Sequence, residues 1–194
     1  MGLVLYITFG ILVVSGLIFY ENKTNDLIKI MSSYDGREYL VRNLSNGGDA
    51  ADILATIREK LVTLCEYLSI KDNSERTTRL ISKFNPDNIK EVKGGSKYTS
   101  YSINKGEQIV FCLRSRDGTD KLIDINTVMF VALHELSHIM TKSIGHTPEF
   151  WKNFKYLLKI AVSLDLYKEV DYSINPQKYC GMTVTDTPLT DESI

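Results

Sequence analysis

Val131-Ala132-Leu133-His134-Glu135-Leu136-Ser137-His138, followed by Gly145-His146-Thr147-Pro148-Glu149-Phe150-Trp151, contains all three histidines of the 194-residue chain. Positions i and i+4 lie on one face of a helix, so His134 and His138 can offer two nitrogens to one metal ion. Glu135, turned about 100° from His134, can reach a water beside the metal without ligating it. Zinc lowers the pKa of its water to about 7, and a carboxylate there can act as a general base. The flanks Val128, Phe130, Val131, Ala132, Leu133, Ile139 and Met140 are apolar, as expected for a helix that runs through a core.

Catalytic zinc commonly keeps three protein ligands and one open position, which asks for a third ligand from outside this helix. His146 is the natural candidate, because Gly145 before it lets the backbone reverse at positive φ. Thr147 then suits an N-cap, Pro148 the first turn of a second helix and Glu149 its positive end. The acidic alternatives for the third ligand are Glu149 and Asp165. The competing reading of the pair is structural: two histidines on one helix face that bind nothing.

These residues resemble the SprT-like and WLM group of zincin metallopeptidases, which pair HExxH with a later histidine in a GHxPEF-type segment. The resemblance is strong over about twenty residues and looser over residues 98–165. It implies that His134, His138 and His146 are zinc ligands and that Glu135 is the catalytic carboxylate. The spacing departs from the metzincin pattern, in which the third histidine comes six positions after the second. The resemblance also raises proteolysis of proteins crosslinked to DNA, but a net charge of −1 gives no basic excess for phosphate binding. Arg76, Arg79, Lys83, Lys90, Lys93 and Lys97 read as a solvated face.

Residues 3–20 contain no charged side chain. Eighteen residues at helical rise reach about 27 Å, close to a hydrocarbon core of about 30 Å, so residues 1–21 are expected to be a transmembrane anchor. A cleaved signal peptide is the rival, disfavoured by the missing basic residues at the front and by the length of the run. The charges after the span balance, so the side of the membrane is not set by the positive-inside rule. Cys65, Cys112 and Cys180 are widely spaced, odd in number and form no CxxC. They are expected to be unpaired, in a reducing compartment.

The expected architecture is α+β: a zincin-like metallopeptidase domain over 49–182 with a small antiparallel sheet. It follows one N-terminal transmembrane helix and a juxtamembrane connector over 22–48, and precedes a flexible tail over 183–194. Helical spacing predicts helices over about 49–69 and 74–84. Residues 97–103 and 108–114 read as a hairpin turning at Asn104-Lys105-Gly106. The resemblance assigns 108–114 to the rim of the cleft, where an extended substrate adds a strand. Phe150 and Trp151 close the core beside the site. Near the tail, Tyr172 or Tyr179 could donate to an oxyanion and Met182 could floor the metal site, though both types also suit ordinary packing. The expected function is a membrane-anchored, Zn2+-dependent peptidase acting on a protein or peptide, with a non-catalytic, zinc-stabilised membrane protein as the alternative.

Overall fold

Alternating apolar residues in the first described segment build a hairpin. The computed structural model describes residues 26–192 and 194, together with 6, 10, 11, 14 and 15. Strands β1 (Leu27–Met31) and β2 (Glu38–Arg42) pair antiparallel, burying Tyr39 and Val41 while Glu38 and Leu40 stay exposed, the period-2 pattern of a half-buried strand. β2 runs parallel to β3 (Ile89–Glu91), and β3 parallel to β5 (Gln108–Phe111). β5 pairs antiparallel with β4 (Tyr101–Ile103). The resulting sheet is five-stranded and mixed, in the order β1-β2-β3-β5-β4, where a small antiparallel sheet was expected.

Helix α1 (Gly47–Lys71) buries Ala50, Leu54, Ile57, Leu61, Leu64 and Leu68 along one stripe and packs on β1, β2 and β3. A Cβ on Gly47 would lie 2.5 Å from Ile30 Cδ1, a flexible side-chain end that would have to shift. The short α2 (Glu75–Lys83) is capped by Ser74, which accepts from the Thr77 amide. Helix α3 (Ile125–Met140) starts at Asp124, whose carboxylate accepts from the Thr127 amide, and buries Val128, Ala132, Leu133, Leu136 and Ile139. It packs against α1, α2, β4, β5 and α4 (Pro148–Ser163), so the helix that carries His134 and His138 runs through the centre of the core. The Arg114 guanidinium and Glu91 carboxylate pair at 2.7 Å, almost fully out of solvent, and Glu91 also accepts the Arg42 amide. That joins β2, β3 and the residues just after β5.

A two-stranded unit, β6 (Gln177–Tyr179) and β7 (Met182–Val184), closes the far side. A disulfide between Cys112 and Cys180 fastens it to the sheet, which corrects the expectation of unpaired cysteines; Cys65 is the free, buried one. Disorder from Thr183 onward is not what is found either, since Thr187 and Pro188 are buried. Residues 22–48, expected as a connector, supply β1 and β2.

The transmembrane helix is not supported. Among the described residues no helix is long and apolar enough to cross a membrane, and most of residues 3–20 lie outside the described residues. The single-pass membrane placement drawn from that run is withdrawn with it.

Candidate metal centre

Three imidazoles meet where α3 ends and α4 begins. The Nε2 of His134 lies 3.2 Å from the Nε2 of His138 and 3.1 Å from that of His146, and ligand atoms from all three residues fall within 4.8 Å of one another. Two nitrogens bound tetrahedrally to one zinc, each about 2.0–2.1 Å from it, would be separated by about 3.3 Å. The donor set therefore fits a zinc ion in both residue type and spacing. His146 is exposed while the other two are half-buried, which leaves one side of the cluster open to the cleft.

The segment that returns His146 folds for the reasons visible in its residues. Gly145 sits at φ +84°, the left-handed region that favours glycine. Thr147 caps α4 by accepting from the Phe150 amide, with Pro148 in the first turn. Glu149, one acidic alternative for the third ligand, instead accepts from the amides of Lys142 and Ser143 and from the Ser143 hydroxyl. Asp165, the other, lies just beyond the end of α4 and outside the three-histidine group.

Beneath the imidazoles lies Phe150, fully buried, its ring centroid 4.8, 4.3 and 4.7 Å from those of His134, His138 and His146. It fills the place proposed for Met182, which is exposed on the cleft wall. Burial, then the neighbouring imidazoles, pulls the pKa of His134 down to about 3. The same causes, with Lys105, bring His138 to about 4. Both rings are thus neutral at pH 7, the form that ligates a metal.

Glu135 is buried on the cleft wall, and burial pushes its carboxyl up to about 7 against the opposing effect of hydrogen bonds from the hydroxyl and amide of Ser102. Ser102 belongs to β4, the sheet edge. The strand bordering the site is therefore β4, and β5, which was expected at the rim, is interior to the sheet. Nothing in the spacing of the sequence foretold Ser102, because the contact depends on sheet order.

A cavity of ≈ 1040 Å³ is lined by His134, Glu135, His138 and His146 together with Thr99 to Ser102 and Tyr179. The Tyr179 hydroxyl is 2.5 Å from Ser100 Oγ. Tyr172, the other tyrosine considered, packs on Phe130 at 4.7 Å and bonds Tyr167 in the core. Two of the six cations read as a solvated face turn inward: Arg76 lies over the Tyr156 ring and bonds Asn153, and Arg79 bonds the carbonyl of Met140.

Fold and site together define an α+β domain that presents three imidazoles and the Glu135 carboxylate to a single cleft. The WLM domain family model matches residues 44–192, and the chain belongs to that family, as the residues of the two histidine segments suggested. The family is zinc-associated and linked to metallopeptidase-like activity. The chain is similar to an uncharacterized protein of Acanthamoeba polyphaga mimivirus, 36% identical over 196 residues that cover 96% of this chain and 98% of that one. An uncharacterized protein of Invertebrate iridescent virus 6 is 36% identical over 108 residues, 55% of this chain and 59% of its own length. One from Invertebrate iridescent virus 3 is 40% identical over 68 residues, 35% and 42%. No solved structure matches.

Proposed function

We propose that the protein is a zinc-dependent metallopeptidase acting on protein or peptide substrates. The observation that carries this reading is the convergence of three Nε2 atoms beside the buried Glu135 in one cleft. His134, His138 and His146 hold the ion. Zinc bound there supplies Lewis acidity and makes a water nucleophilic near neutral pH.

The rest is done by side chains and backbone. Glu135 takes the proton from the attacking water and later gives it to the departing amine. Ser102 holds that carboxylate in place, and β4, as the edge strand lining the cleft, offers backbone groups to an extended peptide. Tyr179, one of the residues lining the same cavity, donates its hydroxyl to the carbonyl oxygen as negative charge develops.

The test compares the full chain with Glu135→Gln for bound zinc and for cleavage of a denatured, labelled casein. Equal zinc content with turnover reduced by about 10²–10⁴ is expected for loss of a general base. Equal turnover overturns the mechanism. A wild-type chain that binds zinc but cleaves nothing favours the purely structural role for the metal.

A further inference from the structure

The segment between His138 and His146 is held by cations along its carbonyls. Arg79 Nη1 donates to the Met140 carbonyl at 2.6 Å. Lys105 Nζ donates to those of Thr141, Lys142 and Ser143 at 2.8, 2.8 and 3.1 Å. An ammonium has three donors, so Lys105 spends all of them on this one stretch. Four consecutive carbonyls, from the last residue and cap of α3 into the loop that follows, are thereby satisfied by positive charge, the first two at a helix terminus that leaves acceptors unpaired.

The opposite polarity is handled from the other side. Glu149 takes the amides of Lys142 and Ser143, and the Ser143 and Thr147 hydroxyls bond at 2.7 Å. Beyond the held stretch, Ile144 is 89% exposed and Gly145 is left-handed. Core packing therefore does not fix this part of the path to His146.

Lys105 itself is a fixed post. Asn104 and Lys105 both adopt left-handed φ, +49° and +53°, a costly conformation for two successive non-glycine residues. The turn is anchored to the end of α2, where the Asn85 amide bonds the Gly106 carbonyl at 2.9 Å. A Cβ at Gly106 would lie 2.6 Å from the Lys83 carbonyl oxygen, so the close approach needs glycine there.

We infer that Arg79 and Lys105 are positioning residues for the metal site: their charged heads hold the carbonyls of Met140 to Ser143 and so set the path that brings His146 to His134 and His138. Because Lys105 sits in the β4–β5 turn, one side chain ties the strand bordering the cleft to the segment that leads to the third ligand. The inference rests on the metallopeptidase reading for its consequence in catalysis, but the hold on the segment does not depend on metal.

The test uses the full chain and the variants Lys105→Met, Lys105→Arg and Arg79→Met. Zinc affinity is read by competition with a chelating dye, amide exchange of residues 141–147 in metal-free protein, and kcat and KM on denatured casein. For Lys105→Met the expected results are zinc binding weaker by about tenfold or more, faster exchange confined to 141–147, and a fall in kcat exceeding any rise in KM. Lys105→Arg, which keeps charge and donors, restores most of the zinc affinity. If Lys105→Met does not fold, Arg79→Met carries the same comparison with one carbonyl released. Unchanged zinc affinity and exchange in a folded variant overturn the inference while leaving the metallopeptidase reading intact. A wild-type chain without zinc affinity sinks that reading, and the exchange measurement still decides whether the cations hold the segment.

Discussion

The ring of Phe150 lies 4.3 Å from the imidazole of His138, and its other neighbours include the two remaining histidines. One apolar side chain thus orients three polar ones from below, and it comes from the helix that the third histidine introduces. Truncating it opens a cavity under the site. Phe150→Ala is expected to cost about 3–5 kcal/mol of stability and to weaken zinc binding by about tenfold or more. Phe150→Leu should cost less stability while still loosening the imidazoles. Denaturant unfolding and dye competition check both; a Phe150→Ala protein with wild-type zinc affinity would show that the ring is packing alone.

The Cys112–Cys180 bond closes a stretch of 68 positions and holds β6, and with it Tyr179, against the sheet. A loop of that length removes about 4 kcal/mol worth of freedom from the unfolded chain. Cys180→Ser is expected to lower stability by an amount of that order and to reduce activity, because the neighbouring Tyr179 loses its support. Burial, then the charge of Glu66, pushes the Cys65 thiol up to about 12, so it is a poor nucleophile for disulfide exchange. Iodoacetamide should label no cysteine in the native chain, one after unfolding and three after reduction. Labelling of Cys112 in unfolded, unreduced protein would contradict the pairing.

The metal helix and its sequel were legible because their signals are local. His134 and His138 at i and i+4, Gly145 at the reversal and Thr147-Pro148 at the helix start all act within one or two turns, and each sits where the sequence placed it. Sheet order is different: that β5 is interior and β4 the edge depends on β3 inserting beside β5, from about twenty residues away. Ser102 on Glu135, Lys105 on the ligand segment and Cys112 with Cys180 are likewise contacts between distant stretches. The paired charges of β1 and β2, such as Lys29 with Glu38, masked a hairpin behind a polar surface. The uncharged apolar run over residues 3–20 suggests a membrane span by length and composition, but no helix among the described residues is long and apolar enough to cross a membrane.

Tyr179 and Ser100 share a hydrogen bond in the cavity that Glu135 also lines. If the phenol donates to the developing oxyanion, Tyr179→Phe should reduce kcat by about 10² with little change in KM and none in zinc content. Tyr172→Phe, which removes a hydroxyl bonded to Tyr167 in the core, should leave kcat unchanged and cost about 1 kcal/mol of stability. Steady-state kinetics on the two variants separates the roles, and full kcat in Tyr179→Phe removes the phenol from the mechanism.

The metal-free chain should lose stability as pH falls through weakly acidic values, where the shifted groups His134, His138 and Glu135 pull in opposite directions. His134 and His138 have pKa values brought from 6.5 to about 3 and about 4 by burial and neighbouring imidazoles. The unfolded chain therefore takes up two protons below about pH 6.5 that the folded chain refuses. Glu135 goes the other way: burial raises it from 4.5 to about 7, so the folded chain keeps a proton that the unfolded chain has released. Between about pH 4.5 and 6.5 the unfolded state binds one proton more on balance, and stability rises with pH. Glu135→Gln removes the opposing group and should roughly double the steepness of that rise. His134→Leu removes one of the two driving groups and should leave it nearly flat. Urea midpoints for the three proteins in chelator, taken in half-unit steps across the window, measure the slopes. Equal slopes for wild type and Glu135→Gln would mean that Glu135 ionises in the folded chain as it does in the unfolded one.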